Sequence, residues 1–284
     1  SVTFTVALLL NDEVTVISLK TFTVADHYTK SDADTLLAAK ATVANFTSTG
    51  IDDNATSTAI TIDASERVGI GAAPTRNLHV QDATGACNVS IRAGDLTSSA
   101  QLVFGDTGTD NQGYISYLNS NDSMNIGSNG ATAMTIDSVG IVTKPLQPAF
   151  LAQGANGQNN IAVGATSTIL LPSERFDNNN DFSSNTFTAP VTGKYQLNSH
   201  VYLLQVPTNA NYIETYILTS NRNYVAAITP SSYGGGGISY ISIELTVLAD
   251  MDAGDTAFLR IAQGSGTQST DVHQNTVFSG YLVA

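Results

Sequence analysis

Apolar side chains recur at every second position through much of this chain, the signature of strands with one buried face. The clearest case is residues 185–204, NTFTAPVTGKYQLNSHVYLL. Thr186, Phe187 and Thr188 favour extended backbone, and Pro190 and Gly193 punctuate a turn. Tyr195, Leu197, Ser199, Val201 and Leu203 then alternate with Gln196, Asn198, His200 and Tyr202. The same reading predicts strands at 149–153, 167–171, 185–189, 193–206, 211–220, 224–228, 238–248, 256–262 and 277–283. Together they make a β domain over 146–284.

Upstream the pattern changes twice. Residues 1–25 read as two strands about a turn at Asn11-Asp12-Glu13, and Ser1 falls inside a strand-like pattern, as expected of a piece of a longer polypeptide. Residues 27–46, HYTKSDADTLLAAKATVANF, switch to helical spacing. Thr29 or Ser31 serves as cap, Asp32 and Asp34 lie at the positive end of the dipole, and Ala33, Leu36 or Leu37, Lys40 and Val43 or Ala44 form a stripe. That stripe is too short to stand alone and suits a coiled coil of several copies; the alternative is a surface helix on a monomer. Residues 47–145 are short strands between Gly, Asn, Asp and Ser, with a weak internal repeat. Residues 57–71 (STAITIDASERVGIG) align with 131–145 (ATAMTIDSVGIVTKP), Asp63 and Asp137 being turn or cap residues. Two prolines in KPLQP (144–148) mark a boundary. The expected divisions are therefore an upstream β piece (1–26), a helical neck (27–46), a β shaft (47–145) and a head (146–284).

Composition narrows the function classes. Only 12% of the 284 residues are charged, with a formal net charge of −13. That balance argues against phosphate-neutralising nucleic-acid binding and against a basic membrane patch. The one cysteine, Cys87, excludes an intrachain disulfide and a multi-cysteine zinc site. No apolar run approaches the roughly 20 residues of a membrane-spanning helix, and no signal peptide is visible.

Several motifs carry family resemblances. FTAPVTGKY (187–195), QPAFLA (147–152), ADMDAGDTAFLRI (249–261) and the terminal FSGYLVA resemble C1q/TNF-like jelly-roll heads. YTKSDADTLLAAK (28–40) resembles a linker of bacteriophage tail fibres, and ERVGIGAAPTRNLHV (66–80) a signature of phage fibres and other trimeric surface shafts. The resemblance implies a mainly β homotrimeric fibre: a helical neck, an intertwined or stacked β shaft and a C-terminal jelly roll. It further implies a virion location, attachment to other tail proteins, and a head that contacts a host surface glycan or outer-membrane component.

If the head strands alternate up and down, the loops 153–165, 205–211, 229–237 and 263–275 share the end away from the shaft. All four are polar, glycine-rich and longer than a hairpin needs. Within them Asn156, Gln158, Asn209, Asn211, Ser231, Ser232, Tyr233, Gly235, Thr270, Asp271 and His273 are the candidate receptor contacts, Tyr233 for stacking on a sugar and the others for hydrogen bonds. Asp177–Asp181 offers hard oxygen ligands of the kind calcium takes, but it lacks the glycine and closing glutamate of an EF-hand, so a turn is the favoured reading and no cofactor is assigned. The four histidines sit in no nucleophile or zinc context, and the chain has no Gly-x-Ser-x-Gly. The expectation is a binding protein, not an enzyme; the alternatives are a tailspike-like polysaccharide depolymerase and a bacterial trimeric adhesin.

Overall fold

The computed structural model of the chain describes residues 29–41 and 58–284. The hairpin expected over 1–26, both ends of the expected helix and the start of the shaft lie outside the described residues. The chain divides into two compact units, Ser1–Val89 and Ser90–Ala284.

In the first unit, helix α1 spans Lys30–Ala41. Thr29 is its cap: the Asp32 amide donates to the Thr29 hydroxyl (3.0 Å), and the Thr29 amide donates back to the Asp32 carboxylate (3.1 Å). The Thr29 hydroxyl and amide hold the Asp32 carboxyl below its usual range. Three short strands follow, β1 (Ile60–Ile62), β2 (Val68–Ile70) and β3 (Leu78–Val80), with β2 antiparallel to β1 and parallel to β3.

The second unit opens with an antiparallel meander, β4 (Ser99–Phe104), β5 (Gly113–Leu118), β6 (Ser123–Ser128), β7 (Ala131–Ile136) and β8 (Val142–Thr143). Its hairpin turns are local, so the whole ladder closes within one chain. The sequence repeat is a repeated turn. Asp63 Oδ1 accepts the amides of Ser65 (2.9 Å) and Arg67 (3.1 Å), and Asp137 Oδ1 accepts those of Val139 (3.0 Å) and Ile141 (2.8 Å). The fourth residue of each turn has positive φ, 60° at Glu66 and 89° at Gly140.

Residues 149–282 form a two-sheet sandwich. One sheet holds β9 (Ala149–Gln153), β11 (Ser173–Asp177), β14 (Gly193–Val206), β17 (Ile238–Met251) and β20 (Val277–Leu282) in the order β11-β9-β20-β14-β17, with β19 (Asp271–Val272) also on β14. The other holds β12 (Phe182–Ser183), β13 (Thr186–Thr188), β15 (Ile213–Thr219), β16 (Asn223–Ile228) and β18 (Thr256–Gln263) in the order β12-β13-β18-β15-β16, with β10 (Thr166–Thr168) also on β18. The alternation in 193–206 is a buried face: Tyr195, Leu197, Val201 and Leu203 have no exposed surface. At the core centre Phe150 stacks on Phe187 (4.6 Å between ring centroids) and Phe182 (5.1 Å) and meets the edge of Phe278 (5.1 Å). Tyr195 keeps its hydroxyl satisfied by donating to the Val191 carbonyl (2.7 Å). Strands β11, β12 and β19 are not among those expected, and β10 is shorter than its expected span of 167–171.

Candidate functional site

Strand register separates the two ends of the head. Near the chain's entry, the Leu282 amide donates to the Pro148 carbonyl (3.0 Å) and the Lys194 amide to the Ala284 carbonyl (2.6 Å). Strand β14 runs from Gly193, opposite Met251, to Val206, opposite Ile238, so it crosses the sandwich from end to end. Loops 153–165, 205–211, 229–237 and 263–275 consequently gather at the far end.

Three of these loops are joined by hydrogen bonds through Asp271, which is only 8% exposed. Its carboxylate accepts the Asn160 amide (2.6 Å) and the Gln205 side-chain amide (2.9 Å). Gln205 in turn accepts from the Gln268 side chain (2.7 Å) and sits at φ 55°, a left-handed value that is uncommon outside glycine. Asn209 and Thr267 exchange two hydrogen bonds of 3.2 Å. Gln158 pairs with Val272 through both backbone bonds. Its side chain donates to the Thr168 carbonyl (3.0 Å) and accepts the Leu170 amide (3.1 Å).

The fourth loop begins as a one-turn 3-10 helix, Pro230–Tyr233, and then runs through the glycines. With the end of β14 and the start of β17 it walls a cleft of about 420 Å³ lined by Gln205, Gly236, Gly237, Ser239, Tyr240 and Gln268, among others. Tyr240 (60%), Tyr233 (57%) and Tyr212 (41%) are exposed aromatics of this end. Asp271 is the only acidic or basic residue in the four loops, apart from the titratable His273. With Asp271 buried in hydrogen bonds, the surface left to a ligand is amide, hydroxyl and aromatic.

The candidates divide accordingly. Asn156, Asn209, Asn211, Ser231, Ser232, Tyr233 and Gly235 are exposed at this end. Thr270 and Asp271 are buried, because 271–272 pairs with Leu203 and Leu204 as β19; they brace the loops from beneath. Gln158 is spent on the scaffold. His273 is half-buried, its ring edge-on to Tyr202 (4.8 Å between centroids) and its Nδ1 accepting the Asn275 amide (3.1 Å). Gln205, Ser239, Tyr240 and Gln268 line the cleft without being among the expected contacts. Tyr240 follows the glycine run at the start of a strand and opposes Leu204 on the outer face, a placement that alternation along β17 gives once its partner is known.

At the opposite end, Asp177–Asp181 is a turn. Asp177 accepts the amides of Asp181 (3.0 Å) and Phe182 (2.8 Å), while Asn178 and Asn179 donate to the Gln147 and Leu146 carbonyls (3.1 Å each). Burial raises the Asp181 carboxyl pKa, the Asn179 hydrogen bond lowers it, and the Asp177 charge raises it again. Among the described residues no group of three or more His, Cys, Asp or Glu is placed to hold a metal ion, and no helix is long and apolar enough to cross a membrane.

Residues 150–283, a little under half of the chain, match the C1q domain family, so this region is a C1q/TNF-like jelly roll. Similar solved structures include the globular domain of zebrafish complement 1qA protein, 15% identical, covering 49% of this chain and 98% of its own with a TM-score of 0.37. They also include murine APRIL at pH 8.0, 11% identical, covering 48% of this chain and 99% of its own with a TM-score of 0.37. No curated protein matches the chain. C1q/TNF-like domains typically form homotrimers, bind receptors and are non-enzymatic, and they are usually extracellular or secreted.

Proposed function

We propose that this chain is the receptor-binding end of a trimeric fibre whose head binds a neutral glycan through its far-end loops. The observation that carries this reading is the chemistry of that end: two exposed tyrosines beside a cleft, hydroxyl and amide groups around them, and a single carboxylate that is buried. Flat aromatic faces and neutral hydrogen-bonding groups suit a sugar ring, whereas the loops themselves offer a charged ligand no exposed counter-charge, Arg175 lying at their edge against Gln153. Cleavage by the usual carboxylate pair needs two acids, and these loops hold one, which favours binding over depolymerisation. The neck and shaft motifs support a bacteriophage tail fibre or similar virion appendage, joined to other tail proteins and facing a host surface glycan or outer-membrane component. Three copies of a weak site on one tip gain avidity from their fixed geometry.

The test is binding of the whole protein to immobilised neutral oligosaccharides and to host-type cells, with Tyr233→Ala and Tyr240→Ala beside the parent. Retention that falls at least about tenfold, or ~1.4 kcal/mol, in either variant supports the reading. Retention by neither surface, or retention unchanged in both variants, contradicts it.

A further inference from the structure

Each small sheet outside the head has one face made of apolar side chains and left open. Residues in register across a ladder share a face. In the meander, Leu102, Ile115, Ile126 and Met134 form one row, and Ala100, Tyr117, Met124 and Ile136 the next. These are not packed: Leu102 is 47% exposed, Ile115 41%, Met124 40% and Ile126 38%. The opposite face is mixed, with Val103 and Leu118 beside polar side chains that are partly joined to one another. Ser116 and Ser123 are buried there, Thr135 donates to Asn125 (2.8 Å), and the Tyr114 and Thr132 hydroxyls share a hydrogen bond of 2.7 Å. The first unit repeats the arrangement. Ile60, Ile70 and Val80 form one row, Ile62, Val68 and Leu78 the other, with Ile62 at 71% and Leu78 at 63% exposure.

We propose that the meander's apolar face is the surface through which further copies of this same chain pack, three meanders meeting with that face toward a shared axis. The occupant follows from three observations. The apolar rows hold no charged side chain that a foreign partner would complement, Asp122 lying at the meander's rim where it accepts the Tyr117 hydroxyl, and identical faces can satisfy one another about a symmetry axis. An open apolar face of the same kind recurs on the small sheet of the first unit. Only five residues separate β8 from the C1q-like head, a span of at most about 18 Å, so copies held by their heads present their meanders to one another at a local concentration of millimolar order. Size also fits a tethered contact. Four strands of six residues and one of two make a face of roughly 400 Å², about half of the ~800 Å² per partner of a free-standing interface. The count of three rests on the trimeric reading of the head; the choice of face does not.

Single cysteines in the full chain, in a Cys87→Ser background, test this with a short bis-maleimide and denaturing gels, beside the solution mass. Ile126→Cys, and Met124→Cys as a second probe of the same face, should give covalently joined pairs. Asn125→Cys, one residue away on the opposite face, should give at least about fivefold less. A trimeric mass with no joining at 124 and 126, or equal joining at 125, overturns the proposal and leaves the head reading intact. A monomeric mass overturns both. Adding Ile115→Asp and Ile126→Asp to the Met124→Cys variant should abolish its joining while the head keeps the mass trimeric; undiminished joining in that combination counts against the proposal.

Discussion

Replacing Asp271 with alanine should loosen the far-end loops without unfolding the head. Its carboxylate accepts the Asn160 amide at 2.6 Å and the Gln205 side chain at 2.9 Å, and the residue is 8% exposed. A hydrogen bond to a charged group contributes about 1.5–3 kcal/mol, and a buried donor left without a partner costs a comparable amount. Both donors belong to surface loops that can relax toward water, so the lower figure applies to each and the expected loss is about 3 kcal/mol. At roughly 4 °C per kcal/mol for a domain of this size, that lowers the midpoint by about 12 °C. The buried aromatic cluster is untouched, so the transition stays cooperative. Asp271→Asn keeps one acceptor for the Asn160 amide and should lose about half as much. A double-mutant cycle with Gln205→Ala isolates the pair, with an expected coupling of about 1–2 kcal/mol. Urea unfolding followed by tyrosine fluorescence is the assay, with glycan retention measured in parallel and expected to fall. A loss below about 0.5 kcal/mol, or a coupling near zero, would refute the role of Asp271 as the brace of the site.

Three further outcomes follow from other parts of the chain. Gly280 lies in β20 where an added Cβ would come within 2.7 Å of the Leu197 side chain and 2.8 Å of the Phe150 ring, so Gly280→Ala should cost about 1–3 kcal/mol by overpacking in the same urea assay; no loss would mean that this part of the core yields freely. The Tyr216 phenol donates to the Glu214 carboxylate, and that bond, with lesser contributions from burial and charge, pushes its pKa from 10.0 up to about 12. The folded state thus holds this proton more tightly than the unfolded one, so the associated stability is complete below pH 10 and is lost as pH rises through about 12. Absorbance titration should show one tyrosine near pH 12 that vanishes in Tyr216→Phe; an unchanged curve would contradict the assignment. In the repeated turn, Gly140→Ala at φ 89° should cost about 1 kcal/mol, whereas Glu66→Gly at φ 60° should be neutral or slightly stabilising; the reverse order in thermal melts would dissolve the equivalence of the two turns.

What was legible in the sequence depended on how local its cause was. Strand β14 was expected at 193–206 and spans Gly193–Val206, because strict alternation with Tyr195, Leu197, Val201 and Leu203 admits only one buried face. The turns at Asp63 and Asp137 were legible for the same reason: an aspartate that accepts amides two and four residues on acts entirely within its own segment. The far-end loops were also located, since up-and-down strands fix which connections share an end. Long-range pairing was not legible. Asp271 and Val272 sit in a run of Gly, Ser, Thr and Gln with no strand signal, and become β19 only because β14 offers Leu203 and Leu204 as partners. That pairing buries Thr270 and Asp271 and turns two expected contacts into supports. Tyr240 was legible as a strand residue, but its place in the cleft depends on the path of Gly236 and Gly237. The apolar alternation of β4–β7 is visible in the sequence, whereas the fact that its apolar face is the open one is a property of the folded chain.

That three copies of a C1q-like head present one set of far-end loops is tested most directly by the mass of the whole protein in solution. Light scattering should give about three times 29.7 kDa, unchanged on dilution through the micromolar range. A mass of 29.7 kDa under those conditions would contradict the trimeric head, the avidity of its tip and the shared axis of the shaft together.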